Sequence, residues 1–372
     1  MSSRRSDRRD FLAGLNVRGA MKGIGRTMAE ELAPPPATRT QGEGLYLEVA
    51  RRAMACEFTL LLRMEHLLDP VKRDKAADRA LEAFDRIDHL ENLLSVYRLH
   101  SDVSRINRTA ARQPARVEGE TAEVLARGLA LAEQTDGAFD FTAGPLIRAW
   151  GFFDRRGRVP EPDALEEARS KVGFRHVRYD REAGTIAYDV EGLEINLGAI
   201  GKGYALDQAA VVLQRQGSND FLFQGGSSSV VARGSESAKR PGWTIGIIHP
   251  LRPDTRLGVL TLVDQALGTS GAAFQSFYHQ GERYGHILDP RSGIPAKGIY
   301  GTTVTAPDGA SADAVATALY VMGVEGAAAF CAAHPEIGAI LTVPGRRAGE
   351  VTVHAFNLPP ERWKIEAATA SE

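Results

Sequence analysis

Cysteine is nearly absent from this chain, and that excludes several kinds of protein at once. Cys56 and Cys331 are the only two among 372 residues, too few for a disulfide framework or a zinc cluster and not in a spacing that marks a nucleophile, so both read as buried fillers. Net charge is also lacking. The 45 basic and 47 acidic residues leave a formal charge of −2, which provides no field to attract nucleic acid or an anionic membrane; a small molecule or a protein is the expected partner. No apolar run approaches the roughly 20 residues that cross a bilayer, so no integral membrane segment is expected. No unit recurs at a fixed period.

What is present is a globular composition. Apolar residues make up 43%, enough to bury a large core as one domain or as two closely packed lobes. Residues 1–44 stand apart: they are basic, then Pro-rich, and carry no strand alternation, which reads as a mobile arm ending in a linker. Their Arg8–Leu12 stretch, RRDFL, has a twin-arginine flavour. Arg18, Lys22 and Arg26 interrupt the apolar segment that an export signal needs, which favours a cytoplasmic location over export by this arm. Residues 45–372 read as a single domain of two packed lobes.

Within that domain, short β-rich runs alternate with helical periodicity. The stripe Ala76, Ala80, Ala83, Phe84, Ile87 and Leu90 predicts a helix, as do the segments Thr121–Thr135, Pro162–Val172 and Tyr204–Gln216. Two more are expected near the C-terminus, Ala312–Met322 and Val324–Ala333. MACEFTLLL, RHVRYD, TIAYDV, LEINL, DFLFQ, SSVVARG, GWTIGII and RLGVLTLV read as strands separated by turn residues. The fold class is mixed α/β with mostly antiparallel sheet.

The stretch EINLGAIGKGYALDQAA from Glu194 to Ala210 looks like a phosphate loop. A P-loop needs four residues between its glycines and a Ser or Thr after its lysine. Here two residues separate Gly198 from Gly201, and Gly203 follows Lys202, so that class is excluded. A glycine turn ahead of a helix, with a lysine in it, still suits an anion such as a pyrophosphate, or is simply a tight turn with a solvated lysine.

Asp313 and Thr317 are four apart in SADAVATALYVMG. On a helix both oxygens share one face, where a hard cation such as Mg²⁺ fits; equally, Asp313 serves the helix N-terminus and Thr317 bonds back to the preceding turn. His286 lies in YGHILDPRSGIP, just before a dense turn able to hold an imidazole at a cleft. Phe139, Asp140, Thr142 and Trp150 fall together in TDGAFDFTAGPLIRAWGF, which suits a flat heterocycle with N–H donors or a buried aromatic corner. Tyr97 in SVYRLHSDVSRIN is a further exposed aromatic.

In their order along the chain, these motifs, with FQGGSSSVVARG and GTSG, resemble the ApbE-type FAD:protein FMN transferases from about Leu45 to Leu358. The resemblance implies a two-lobed architecture of the tunnelling-fold type, FAD as substrate, and a flavin-accepting target protein. It implies Mg²⁺ held by the Ala199 carbonyl, Asp313 and Thr317, with Lys202 at the pyrophosphate of FAD. Met54, Tyr97, Ala138, Phe139, Asp140, Asn196 and Ile287 would line the flavin nucleotide, and His286 would be the catalytic group. The implied reaction is Mg²⁺-dependent transfer of FMN to a Thr or Ser hydroxyl, releasing AMP. The chain departs from the family pattern at Asn196, Gly201, Ala55–Cys56, Ala272 and Ala273, which keeps two alternatives open: an FAD pyrophosphatase giving FMN and AMP, and a catalytically impaired FAD-binding protein.

Overall fold

The computed structural model describes residues 45–64, 69–271 and 275–366. The N-terminal arm with its RRDFL stretch, and Ala272 and Ala273, lie outside these residues.

Strands β1 (Tyr46–Ala53) and β2 (Cys56–Arg63) form a hairpin, followed by helices α1 (Pro70–Leu94) and α2 (Asp102–Thr109). Next come β3 (Ala115–Arg116), α3 (Gly119–Gln134), α4 (Gly144–Ala149), α5 (Pro162–Ser170), β4 (Val177–Asp180) and β5 (Thr185–Tyr188). Helix α6 (Gly201–Arg215) leads into β6 (Phe221–Gly225), β7 (Ser229–Arg233), β8 (Trp243–His249), β9 (Arg252–Leu262) and β10 (Ala266–Ser270). The ribbon β11 (Ser276–His279) and β12 (Glu282–Gly285) precedes β13 (Gly301–Ala306), α7 (Gly309–Ala333), β14 (Gly338–Pro344), β15 (Val351–Phe356) and β16 (Trp363–Ile365).

Eight strands form the central sheet in the order β1-β2-β6-β7-β10-β13-β14-β15, and each neighbouring pair is antiparallel. Helices α1, α6 and α7 cover one face; the three-stranded sheet β16-β9-β8 covers the other. Successive residues therefore enter different cores. Phe221 and Phe223 pack under the helices while Leu222 packs against Trp243 and Leu260, and Leu60 and Leu62 are divided from Leu61 in the same way. Burial on both faces explains why DFLFQ and FTLLL are continuous apolar runs rather than alternating ones. Each such side chain contributes roughly 2 kcal/mol of gross hydrophobic stabilisation. A third cluster, around Trp150, Phe152 and Leu288, joins α4, α5 and the β11–β12 ribbon.

The helix α1 begins at a cap the sequence supplies. Asp69 accepts from the amides of Val71 (3.0 Å) and Lys72 (3.2 Å), and Pro70 takes the first position, where no donor is needed. All six residues of its predicted stripe are buried. By length and composition alone the helix α7 is long and apolar enough to cross a membrane, although Asp313 and Glu325 interrupt its apolar sequence. It instead lies half buried on β10 and β13 and breaks at Gly323, whose φ of 73° and ψ of −172° are not helical. That break separates the two helices expected there.

Two local expectations need correction. Leu193–Leu197 is not a strand: Glu194 makes only an isolated bridge with Ala143, and the Ile195 amide donates to the Asn107 side chain (2.8 Å) in place of a ladder partner. Helix α6 starts at Gly201 rather than Tyr204, so Lys202 is part of its first turn. Asp102 opens the short helix α2, which the Ser101 hydroxyl caps through the Ser104 amide (3.0 Å).

Candidate functional site

Two helix N-termini converge at the centre of the molecule. Leu197 accepts from the amides of Ile200 (3.1 Å) and Gly201 (2.7 Å), a turn that launches α6. The Gly203 amide donates to Asp313 Oδ2 at 2.8 Å, and the Ser229 hydroxyl donates to Asp313 Oδ1, also at 2.8 Å. Contact this close requires glycine. A Cβ on Gly203 would stand 2.0 Å from the Gly309 carbonyl oxygen, and one on Gly268 2.3 Å from that of Ala312. These bare positions let α7 press its first turns against both α6 and β10.

Asp313 is 7% exposed. Burial pushes its carboxyl upward from the ordinary carboxylate value, opposed by the charge of Lys202 and by the Ser229 and Gly203 hydrogen bonds. Neither Asp313 nor Lys202 takes part in an ion pair among the described residues. A buried carboxylate whose only nearby cation is not in ion-pair contact is costly, and a ligand between the two charges could engage both. The Lys202 amide, in the first turn of α6, also lacks a backbone acceptor among the described residues and adds a donor for an anion.

Beside this pair, Thr317 Oγ1 lies 3.0 Å from Ser270 Oγ and bonds back to the Asp313 carbonyl at 3.3 Å. The back-bonding reading of the Asp313–Thr317 spacing is what these contacts show: the hydroxyl bonds back within the helix and also faces a neighbouring hydroxyl. The Ala199 carbonyl accepts no hydrogen bond among the described residues. Asp313, Thr317, Ser270 and Ala199 offer oxygen donors only, the chemistry that suits a hard divalent cation. No cluster of three or more His, Cys, Asp or Glu occurs among the described residues, so such a cation would draw its remaining ligands from phosphate oxygens and water.

His286 follows β12 directly. Its Nδ1 lies 3.1 Å from the Gln275 carbonyl oxygen, and its backbone amide donates to the same oxygen at 3.1 Å. A carbonyl only accepts, so Nδ1 carries the proton and Nε2 is left as the acceptor. Burial lowers the imidazole pKa and the nearby Lys202 charge lowers it further, against the raising effect of the Gln275 bond. The ring is neutral near pH 7, with a free lone pair. Phe152 meets it edge-on, ring centroids 6.4 Å apart.

The β1–β2 hairpin forms another edge of the site. Its two turn residues, Met54 (φ 48°) and Ala55 (φ 62°), both adopt the left-handed conformation. Cys56 follows; burial raises its thiol pKa, and the Lys202 charge opposes that rise.

The remaining predicted residues divide into two groups. Tyr97 is 64% exposed, and Asn196 Oδ1 accepts from the Gly198 amide at 2.9 Å, turning the chain towards α6. Ala138, Phe139 and Ile287 are buried in the main core. Asp140 is buried too: it accepts from the Thr142 amide (2.8 Å), the Thr142 hydroxyl (2.7 Å) and the Phe174 amide (2.7 Å), and burial raises its pKa. With the Trp150 indole donating to the Gly293 carbonyl at 2.8 Å, the segment forms the buried aromatic corner that was one of its two readings.

Sequence reasoning missed Asp207, Ser229 and Ser270. Asp207 accepts from the amides of Gly309 (2.7 Å) and Ala310 (3.0 Å), capping α7 from a neighbouring helix, and burial pushes its pKa up to about 7. One signal was available: Asp207 stands four residues after Gly203, on the same helical face.

Comparison with known proteins bears on the family and the fold. The ApbE family model matches residues 54–341. An FAD:protein FMN transferase of Treponema pallidum is 32% identical over 280 residues, covering 72% of this chain and 77% of the relative. One of Salmonella typhimurium is 30% identical over 260 residues, covering 68% and 73%. Among solved structures, the ApbE protein of Thermotoga maritima superimposes with a TM-score of 0.72 at 29% identity, over 82% of this chain and 96% of that one. The apo flavinyl transferase ApbE of Pseudomonas stutzeri gives 0.72 at 27%, over 85% and 98%.

Proposed function

The chain belongs to the ApbE family, and from that premise we propose that it is an FAD:protein FMN transferase that moves the FMN moiety of FAD to a Ser or Thr hydroxyl of a target protein and releases AMP. Residues 45–372 act as one unit in this reading. The supporting observation is the buried Asp313 carboxyl near the Lys202 charge, without ion-pair contact between them, at two converging helix N-termini.

The Lys202 ammonium and the Lys202 amide in the first turn of α6 hold the pyrophosphate of FAD, where their charge offsets what builds up on the phosphate oxygens. Asp313, Thr317 and the Ala199 carbonyl would hold Mg²⁺, which supplies further charge neutralisation on the pyrophosphate. Tyr97 and Met54 meet the flavin end. The target hydroxyl oxygen forms a bond to the FMN phosphorus, the bond from that phosphorus to the bridging oxygen breaks, and AMP leaves with the bridging oxygen. The neutral His286 accepts the hydroxyl proton at Nε2.

The test incubates the protein with FAD and a candidate acceptor domain from the same organism, with Mg²⁺ or with chelator. Flavin that stays on the acceptor after denaturation, together with an equal amount of AMP, is the expected result. Free FMN without labelled acceptor would assign the site to FAD hydrolysis, and unchanged FAD to binding alone; either overturns the transferase reading.

A further inference from the structure

Tyr97 is 64% exposed, yet its ring is not free to turn. It stacks on Phe153 with centroids 4.7 Å apart and planes at 26°. The Arg148 guanidinium lies over the Phe153 ring at 3.6 Å from its centroid. Arg148 in turn is held by both carboxylate oxygens of Glu194, with Nη2 to Oε1 at 2.8 Å and Nε to Oε2 at 2.5 Å. The backbone of Glu194 is fixed as well, its carbonyl accepting from the Gly144 amide at 3.2 Å. A Cβ on Gly144 would stand 2.6 Å from that carbonyl oxygen, so the approach depends on glycine there.

Two residues after Glu194 comes Asn196, and from it the turn into α6 and Lys202. An exposed aromatic ring is thereby tied, through three side chains, to the backbone that launches the anion-binding helix. We infer that Phe153 and Arg148 are positioning residues for flavin recognition: they hold the Tyr97 ring in place before the ligand arrives and set its register against the Lys202 turn through Glu194. This rests on the reading of Tyr97 as a contact to the flavin ring.

A free surface tyrosine loses rotamer freedom when a ligand stacks on it; a tyrosine already stacked has lost it beforehand. Phe153 belongs to the loop after α4 and is only half-buried, so truncating it leaves the main core untouched. Its effect is confined to the flavin end of the ligand. The bidentate Arg148–Glu194 pair makes the arrangement sensitive to geometry, since a lysine offers no matching fork.

The test compares FMN affinity, read by flavin fluorescence, with ADP affinity for the full chain and for Tyr97→Ala, Phe153→Ala, Phe153→Tyr and Arg148→Lys. Phe153→Ala should weaken FMN binding roughly two- to tenfold, the range of an aromatic stacking pair, with ADP binding unchanged. Arg148→Lys should fall in the same direction and Phe153→Tyr should restore the wild-type value. If Tyr97→Ala weakens FMN binding and Phe153→Ala does not, the positioning role is wrong while the Tyr97 contact stands. If neither variant affects FMN binding, both ideas fall. Equal losses for FMN and ADP in Phe153→Ala would mark a general structural effect and overturn the inference.

Discussion

The amide of Gly203 and the carboxylate of Asp313 meet at 2.8 Å although 110 positions separate them in the chain. One hydrogen bond thus joins the first turn of α6, which carries Lys202, to the first turns of α7, which carry the candidate cation ligands. Any ligand held by both charges is gripped across this junction.

Asp313→Asn should separate stability from activity. The amide keeps an acceptor for Gly203 or Ser229 and removes the desolvation penalty of the buried carboxylate, so thermal stability in chelator should hold or rise. Turnover of FAD should be lost, together with any Mg²⁺-induced rise in melting temperature. A variant that Mg²⁺ stabilises as it does the wild type would remove Asp313 from the metal site.

His286 should act as a base whose acid limb lies below the ordinary histidine range, because burial and Lys202 both disfavour its protonated form. Activity should therefore rise with pH below that range and be level through neutrality. His286→Gln should reduce turnover by about 10²–10⁴-fold with little loss of FAD affinity, and the acid limb should disappear with it. A limb that persists in the variant belongs to another group.

Asp207 predicts a stability slope. Its folded pKa of about 7 stands above the ordinary 3.8, so the native state binds the proton more tightly than the unfolded chain. The resulting stabilisation is complete below the unfolded value and is lost as pH rises through the folded one, by roughly 4 kcal/mol at most. Melting temperatures at about pH 5 and about pH 8 should differ more for the wild type than for Asp207→Asn. Parallel curves would show that this carboxyl titrates normally.

Asn196→Asp tests the loop itself. Aspartate can accept from the Gly198 amide as Asn196 does, so the turn is kept while a negative charge is added beside the pyrophosphate site. Half-maximal activation should move to lower Mg²⁺, measured at saturating FAD, with weaker FAD binding as the opposing effect. An unchanged Mg²⁺ requirement would make position 196 electrostatically remote from the metal.

The stripe from Ala76 to Leu90 was legible because helical spacing alone decides which residues face a core. The mixed, antiparallel character was legible from short strands divided by turn residues. The apparent strand at Leu193–Leu197 was not, because its partner is the Asn107 side chain, which lies far away in sequence. The site divides in the same way. Lys202, Asp313 and His286 stand in distinctive motifs, whereas Asp207, Ser229 and Ser270 acquire meaning only when three separate segments are folded together. Asp140 shows the converse: a motif residue whose hydrogen bonds all remain within its own corner.

The hairpin at Met54 and Ala55 gives the site one rigid margin. A two-residue turn with positive φ at both positions is where glycine or asparagine rests comfortably, and neither is present. Each residue is held there against its own preference, at a cost of order 1 kcal/mol, by the eight residue pairs that zip β1 to β2. A tip under that tension cannot drift without unzipping the strands beneath it. Ligands entering beside Lys202 therefore meet a fixed lip, and the parts of the molecule that yield on entry must lie elsewhere around the opening.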